Sequence, residues 1–163
     1  MRYLSFLIFL LIVAYVVWPY YTVYRLDNAV KSNDQTTLTE LVDLKAIREL
    51  HKESIQRNVS QLENNLSRTT GAESNPLLDT IRDGIIGIGR SAVDKEIDIN
   101  WVKSCLAGKT KDKPSLWHDV SFAFYESPTR FTIRIGELGQ APTFVQMILQ
   151  DWSWRVAAVY DCS

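Results

Sequence analysis

Few residues in this sequence have the types and spacing that chemistry requires. His118 and Asp119 are the right pair for acid–base work, an imidazole to exchange a proton and a carboxylate to orient it. They are adjacent, however, and adjacent side chains in a strand point to opposite faces. His51 lies among Glu49, Lys52 and Glu53, the composition of a solvated helix face. Asp79 and Asp83, at i and i+4, would share a helix face and could hold a cation, although an exposed acidic face needs none. Cys105 and Cys162 are the only thiols, and neither has a histidine nearby in sequence to activate it. In an oxidising compartment they could bridge, tying the last helix to the final strand; as free thiols they would be buried apolar side chains. These residues assign no catalytic set, no metal site and no cofactor.

Two further groups concern binding. Gly84-Ile85-Ile86-Gly87-Ile88-Gly89 is glycine-dense like a phosphate loop, but no strand precedes it, no Lys-Ser or Lys-Thr follows, and the order is not the dinucleotide one. Glycines there suit close helix packing or a bend, with a helix lining lipid or ligand at Gly84 and Gly87 as the other reading. Trp117, Trp152 and Trp154 stand at expected strand ends, where aromatic rings either pack the core or line a ligand or partner surface.

The elements that must position these residues begin with an apolar one. Residues 3–18 read YLSFLIFLLIVAYVVW, and no charge occurs between Arg2 and Arg25. A helix from Tyr3 to Tyr24 measures about 33 Å, enough to cross a hydrocarbon core of about 30 Å. Trp18, Tyr20, Tyr21 and Tyr24 gather at its C-terminal end, where such rings favour the headgroup layer. Pro19 falls at that boundary, where water or headgroups can satisfy the carbonyl it frees. A cleaved signal peptide would need small residues before the cut, and Val16-Val17-Trp18-Pro19 are bulky. Residues 1–24 are therefore expected to form an uncleaved transmembrane anchor. Arg2 on one flank against Arg25 and Lys31 on the other hardly biases topology; the short N-terminal tail favours signal-anchor insertion, with the folded part outside the cytoplasm.

Residues 25–163 read as one α+β domain, helical over 25–108 and an antiparallel sheet over 117–161. Leu26, Ala29 and Val30 continue a helical stripe to a break at Ser32-Asn33-Asp34. Thr37-Leu38-Thr39-Glu40 has capping-box spacing. Asp43 opens a longer helix whose Leu44, Ile47, Leu50, Ile55, Val59, Leu62 and Leu66 form one apolar stripe. Residues 71–75 form a loop, and Asn75-Pro76 starts a helix carrying Leu77, Leu78, Ile81, Ile85, Ile88 and Ala92. A short helix over 99–107 stops at Gly108, and 109–113 with Pro114 connect. From Trp117 the apolar period changes to two. Strands over 120–125, 131–135, 144–149 and 154–160, joined by short turns, make a four-strand antiparallel meander packed on the preceding helices. Phe131, Ile133 and Ile135 mark its buried face, Thr132 and Arg134 the other.

Composition fits one folded domain behind the anchor. The chain has 163 residues, 46% hydrophobic and 23% charged, with a net charge of −1. That balance argues against disorder and gives no electrostatic basis for nucleic-acid binding.

The stretch Pro19-Tyr20-Tyr21-Thr22-Val23-Tyr24-Arg25-Leu26, then Ala29, Asp34, Leu38, Leu41-Val42-Asp43-Leu44 and Ile47-Arg48, resembles a bacterial family of short proteins with one N-terminal anchor, domain-of-unknown-function family 2939. The resemblance continues through Asn75-Pro76 to Val93 and ends with Trp154-Arg155-Val156, with Val42-Asp43 its most specific point. Gly84, Gly87, Gly89 and the cysteines depart from the family pattern. The resemblance implies a bacterial envelope setting and no activity; with the anchor oriented as above, the expected location is a bacterial inner membrane with a periplasmic domain. The expected function is a non-enzymatic, membrane-tethered interaction module of the cell envelope, its partner another envelope protein, an effector or a lipid. Two other readings stay open: a small hydrolase or isomerase with a pocket between sheet and helices, and an accessory subunit of a larger membrane complex.

Overall fold

A computed structural model describes residues 2–70, 76–107, 115–137, 139 and 141–162, excluding the side chains at 2, 63, 66–70 and 76–79. The expected loop 71–75 with its Asn75 cap, the Gly108 stop and the connector 109–114 lie outside the described residues. The elements are α1 (Arg2–Ser32), α2 (Gln35–Leu41), α3 (Leu44–Thr70), α4 (Pro76–Glu96), α5 (Ile99–Leu106), α6 (Leu116–Asp119), β1 (Val120–Ser127), β2 (Arg130–Ile135), β3 (Thr143–Gln150) and β4 (Ser153–Tyr160). They form an α+β fold that divides into two units, Met1–Asp43 with Ile99–Ser163, and Leu44–Asp98.

In the first unit, α1 is continuous over 31 residues and runs through the boundary expected at Tyr24. Its first half exposes apolar side chains on every side, whereas Val23, Leu26, Ala29 and Val30 in its second half are buried. One helix thus serves as an apolar rod and as a core element. It ends where Asn33 turns left-handed, at φ 56°. The next cap is Asp34, three residues before the expected one: its carboxylate accepts from the N–H groups of Thr36 at 3.1 Å and Thr37 at 3.2 Å. The Thr37 hydroxyl is committed to Asp34 at 2.6 Å, and Glu40 pairs with Arg25 at 3.2 Å, so the box spacing is occupied otherwise.

The sheet has the order β1-β2-β3-β4, antiparallel throughout. Alternation puts Phe131, Ile133, Ile135, Val145 and Met147 inside, with Trp154 and Val156 beside them. The β4 edge does not stay open: Val42 bridges Val156 in parallel, and the Asp43 N–H donates to the Val156 carbonyl at 2.8 Å. Cys105 on α5 is bonded to Cys162, just past β4, with Cα atoms 5.4 Å apart. Trp117 and His118 lie on the single turn of α6, not at a strand start. Ser115 caps that turn by accepting from the His118 N–H at 3.4 Å.

The second unit pairs α3 with α4, antiparallel. Arg48 Nε donates to the Ile97 carbonyl at 2.8 Å, Lys52 meets Asp94 at 2.8 Å, and Arg90 donates to Gln56 at 2.9 Å. Gly89 makes the close approach, since a Cβ there would lie 3.1 Å from Ile55 Cγ2. Val93 and Ile97 are buried, but Ile81, Ile85 and Ile88 are exposed together with Leu62. The apolar stripe expected on α4 is therefore only partly inside: the buried face of the helix is rotated toward Gly89 and Val93.

Candidate functional site

Pro19 organises the place where the apolar half of α1 meets the sheet. Proline has no N–H, so the Tyr15 carbonyl, four residues earlier, loses its helical donor. Tyr125 on β1 replaces it, its hydroxyl donating to the Tyr15 carbonyl at 2.9 Å and to that of Val16 at 3.3 Å. The freed carbonyl is thus satisfied by the protein, where water or headgroups were expected. The Tyr15 hydroxyl in turn donates to the Pro128 carbonyl in the β1–β2 turn. Burial, with Tyr15 and Tyr20 alongside, pushes the Tyr125 phenol up to about 12, which keeps it a donor. Its ring stands edge-on to Phe131 at 5.0 Å and to Trp154 at 5.9 Å, and Tyr20 meets Phe131 at 5.0 Å.

Further along α1, a cleft of ≈ 240 Å³ is lined by Tyr20, Val23, Trp117, Val120, Ala123 and Ile133. Such walls hold an apolar group by burial and ring contact, and they present no carboxylate, imidazole or thiol for proton transfer or nucleophilic attack. Trp117, half-exposed, is the sequence-predicted residue at this cleft. Asp27 fixes the neighbouring turn. It is buried to 3% exposure, pairs with Lys31 at 2.5 Å, and accepts from Ser115 Oγ and the Trp117 N–H, each at 3.3 Å.

The outward face of the sheet carries a second arrangement. Glu126 accepts from Thr132 at 2.7 Å and from Gln146 at 2.8 Å, spanning three strands with one carboxylate. The Arg134 guanidinium lies 5.6 Å from the centre of the exposed Phe122 ring and donates to Ser121 at 2.9 Å.

Cys105 and Cys162 are joined, as they would be in an oxidising compartment, but the remaining sequence-predicted residues do not converge on one site. Trp154 is fully buried in the aromatic core, while Trp152 is 81% exposed at the β3–β4 turn. Gly84 and Gly87 face open space, so the packing expected of them falls to Gly89. His118 and Asp119 share α6, and His51 Nδ1 lies 2.9 Å from the Ile47 carbonyl of its own helix. The residues that sequence reasoning passed over are Tyr15, Asp27, Tyr125 and Glu126. Two had a signal: Pro19 names the carbonyl left free, and Asp27 is the first acid of the chain, set within the stripe of Leu26 and Val30.

A family described as protein of unknown function (DUF2939) has a model that matches residues 8–104, more than half of the chain. The match takes in most of α1 and Val42-Asp43, the pair that bridges β4, and stops before the sheet. Trp154-Arg155-Val156 lies beyond it. No curated protein and no solved structure matches the chain.

Proposed function

The chain belongs to the DUF2939 family of proteins of unknown function, and on that footing we propose that it is a membrane-tethered, non-enzymatic binding module of a bacterial cell envelope. The observation that carries this reading is the division of α1. Its first half is apolar and exposed on every side, a surface that water penalises and a bilayer covers. Its second half supplies core side chains, so removing the whole helix as a signal peptide would strip Val23, Leu26, Ala29 and Val30 from the fold. The span is thus kept and holds the folded part against the membrane. The Cys105–Cys162 bond favours an oxidising compartment, hence the periplasmic side of an inner membrane. Binding would use the apolar cleft beside Trp117 and the outward sheet face around Phe122 and Arg134, with a lipid or another envelope protein as the partner.

Alkaline extraction of membranes from expressing cells tests the tether. The full-length chain, checked by intact mass, is expected in the membrane pellet, and a reporter after Ser163 is expected to be active only outside the cytosol. Recovery as a soluble species, or as a chain shortened past Tyr15, would overturn the reading.

A further inference from the structure

The membrane-facing end of the sheet is identifiable, and it carries an exposed tryptophan in a costly conformation. Two tight turns lie at that end: β1–β2, closed by the Ser127–Arg130 pair, and β3–β4, closed by the Gln150–Ser153 pair. The Leu149 N–H donates to the Thr129 carbonyl at 3.0 Å, which holds the two turns side by side. The same end abuts α1 through the hydroxyl of Tyr15 on the Pro128 carbonyl. Tyr15 is also the point at which α1 passes from exposure on every side to partial cover by the sheet.

Span length then sets the depth of that end. The uncovered segment 3–14 rises only about 18 Å at about 1.5 Å per residue, well short of a hydrocarbon core of about 30 Å. The remaining apolar thickness has to be met at and beyond Tyr15, where Val16, Val17, Trp18, Tyr21 and Tyr24 stay exposed beside the sheet. The turn end of the sheet therefore cannot stand clear of the bilayer: it reaches the headgroup layer or lies below it.

The β3–β4 turn fits that level chemically. Asp151 and Trp152 have φ of 47° and 60°, the double positive φ of the hairpin turn that ordinarily selects Asn-Gly or Asp-Gly. A bulky side chain in this region is an outlier, and here the ring is 81% exposed, so burial within the fold does not compensate for the strain. Indole rings favour the boundary between headgroups and acyl chains.

We infer that Trp152 inserts into the interfacial layer of the bilayer that α1 crosses, fixing the sheet against the membrane at a second point. This rests on the reading of α1 as a retained anchor, and the test separates the two. The full-length chain, its native cysteines bonded, is reconstituted in phosphatidylcholine vesicles carrying brominated acyl chains. A bimane label is placed in turn at Trp152→Cys, at Leu10→Cys in the span, and at Glu137→Cys near the opposite end of the sheet. Labels at 152 and 10 are expected to lose most of their emission to the bromines, while the label at 137 keeps its own. Quenching at 10 without quenching at 152 overturns the inference and leaves the anchor standing; quenching at neither overturns both. An independent measurement needs no new thiol. The emission lost on Trp152→Phe is expected to be blue-shifted and bromine-sensitive, and a water-like, unquenched difference spectrum would refute the insertion.

Discussion

At the scale of single residues, one proline and one phenol define the junction between rod and sheet. Tyr125→Phe leaves the Tyr15 carbonyl without its donor and is expected to cost about 1–3 kcal/mol. In a Pro19→Ala background the helix regains an N–H at that carbonyl, and the same change is expected to cost less than about 1 kcal/mol. A double-mutant cycle on the full chain, read by denaturant unfolding, measures the coupling. The phenol also sets a pH dependence. Its folded pKa is raised to about 12 by burial and by the neighbouring Tyr15 and Tyr20, above an ordinary value of 10.0. The folded state therefore holds that proton more tightly, and the stabilisation is complete below pH 10 and lost as pH rises toward 12. Wild type is expected to lose stability more steeply than Tyr125→Phe across that window. At the β3–β4 turn, Trp152→Gly relieves a positive φ and is expected to raise the stability of the detergent-solubilised protein by about 1 kcal/mol. The ring is thus a cost to the fold, consistent with a use outside it.

Among the elements, α4 separates the roles of three glycines that the sequence presents as one cluster. Gly84 and Gly87 meet open space, so Gly84→Ala and Gly87→Ala are each expected to stabilise the α3–α4 pair by about 0.5–1 kcal/mol through helix propensity. Gly89 is pressed against Ile55, and Gly89→Leu is expected to cost about 1–3 kcal/mol by overpacking. Thermal unfolding of the three variants checks the contrast. The helix cap at Asp34 shows the same limit of local reading. Both Asp34 and Thr37 are good N-cap types, and the choice between them is made by the left-handed Asn33, which ends α1 and aims the Asp34 carboxylate at the next helix. Hydrogen bonds from Thr37 and Thr36 hold the Asp34 carboxyl below its ordinary range, so this cap weakens as pH falls.

For the molecule as a whole, the Cys105–Cys162 bond encloses every strand. It spans 57 residues, from α5 to the end of β4. The chain-entropy argument gives a closure of this length about 4 kcal/mol. Reduction is expected to lower unfolding stability by about that amount, and no free thiol is expected under denaturing, non-reducing conditions in protein recovered from its native compartment. A titration showing two thiols there would place the folded part in a reducing environment and remove the support the bond gives to a periplasmic location.

Periodicity and charge in the sequence were enough for the apolar helix, the α+β order, the four antiparallel strands and the face of β2 that is buried, because each follows from side-chain spacing along a single element. The family match reinforces the helical portion, again through local pattern. What only the tertiary structure decided depends on which elements meet. Trp154 and Trp152 are two residues apart with the same preference, yet one lies in the core and the other in the open, because Trp152 is part of the tight turn that reverses the chain and Trp154 already belongs to β4. The partner of the Tyr15 carbonyl lies 110 residues away, and no spacing rule links them. Local spacing specifies what a segment tends to form, whereas contacts between segments depend on chain reversals and packing that no single stretch encodes.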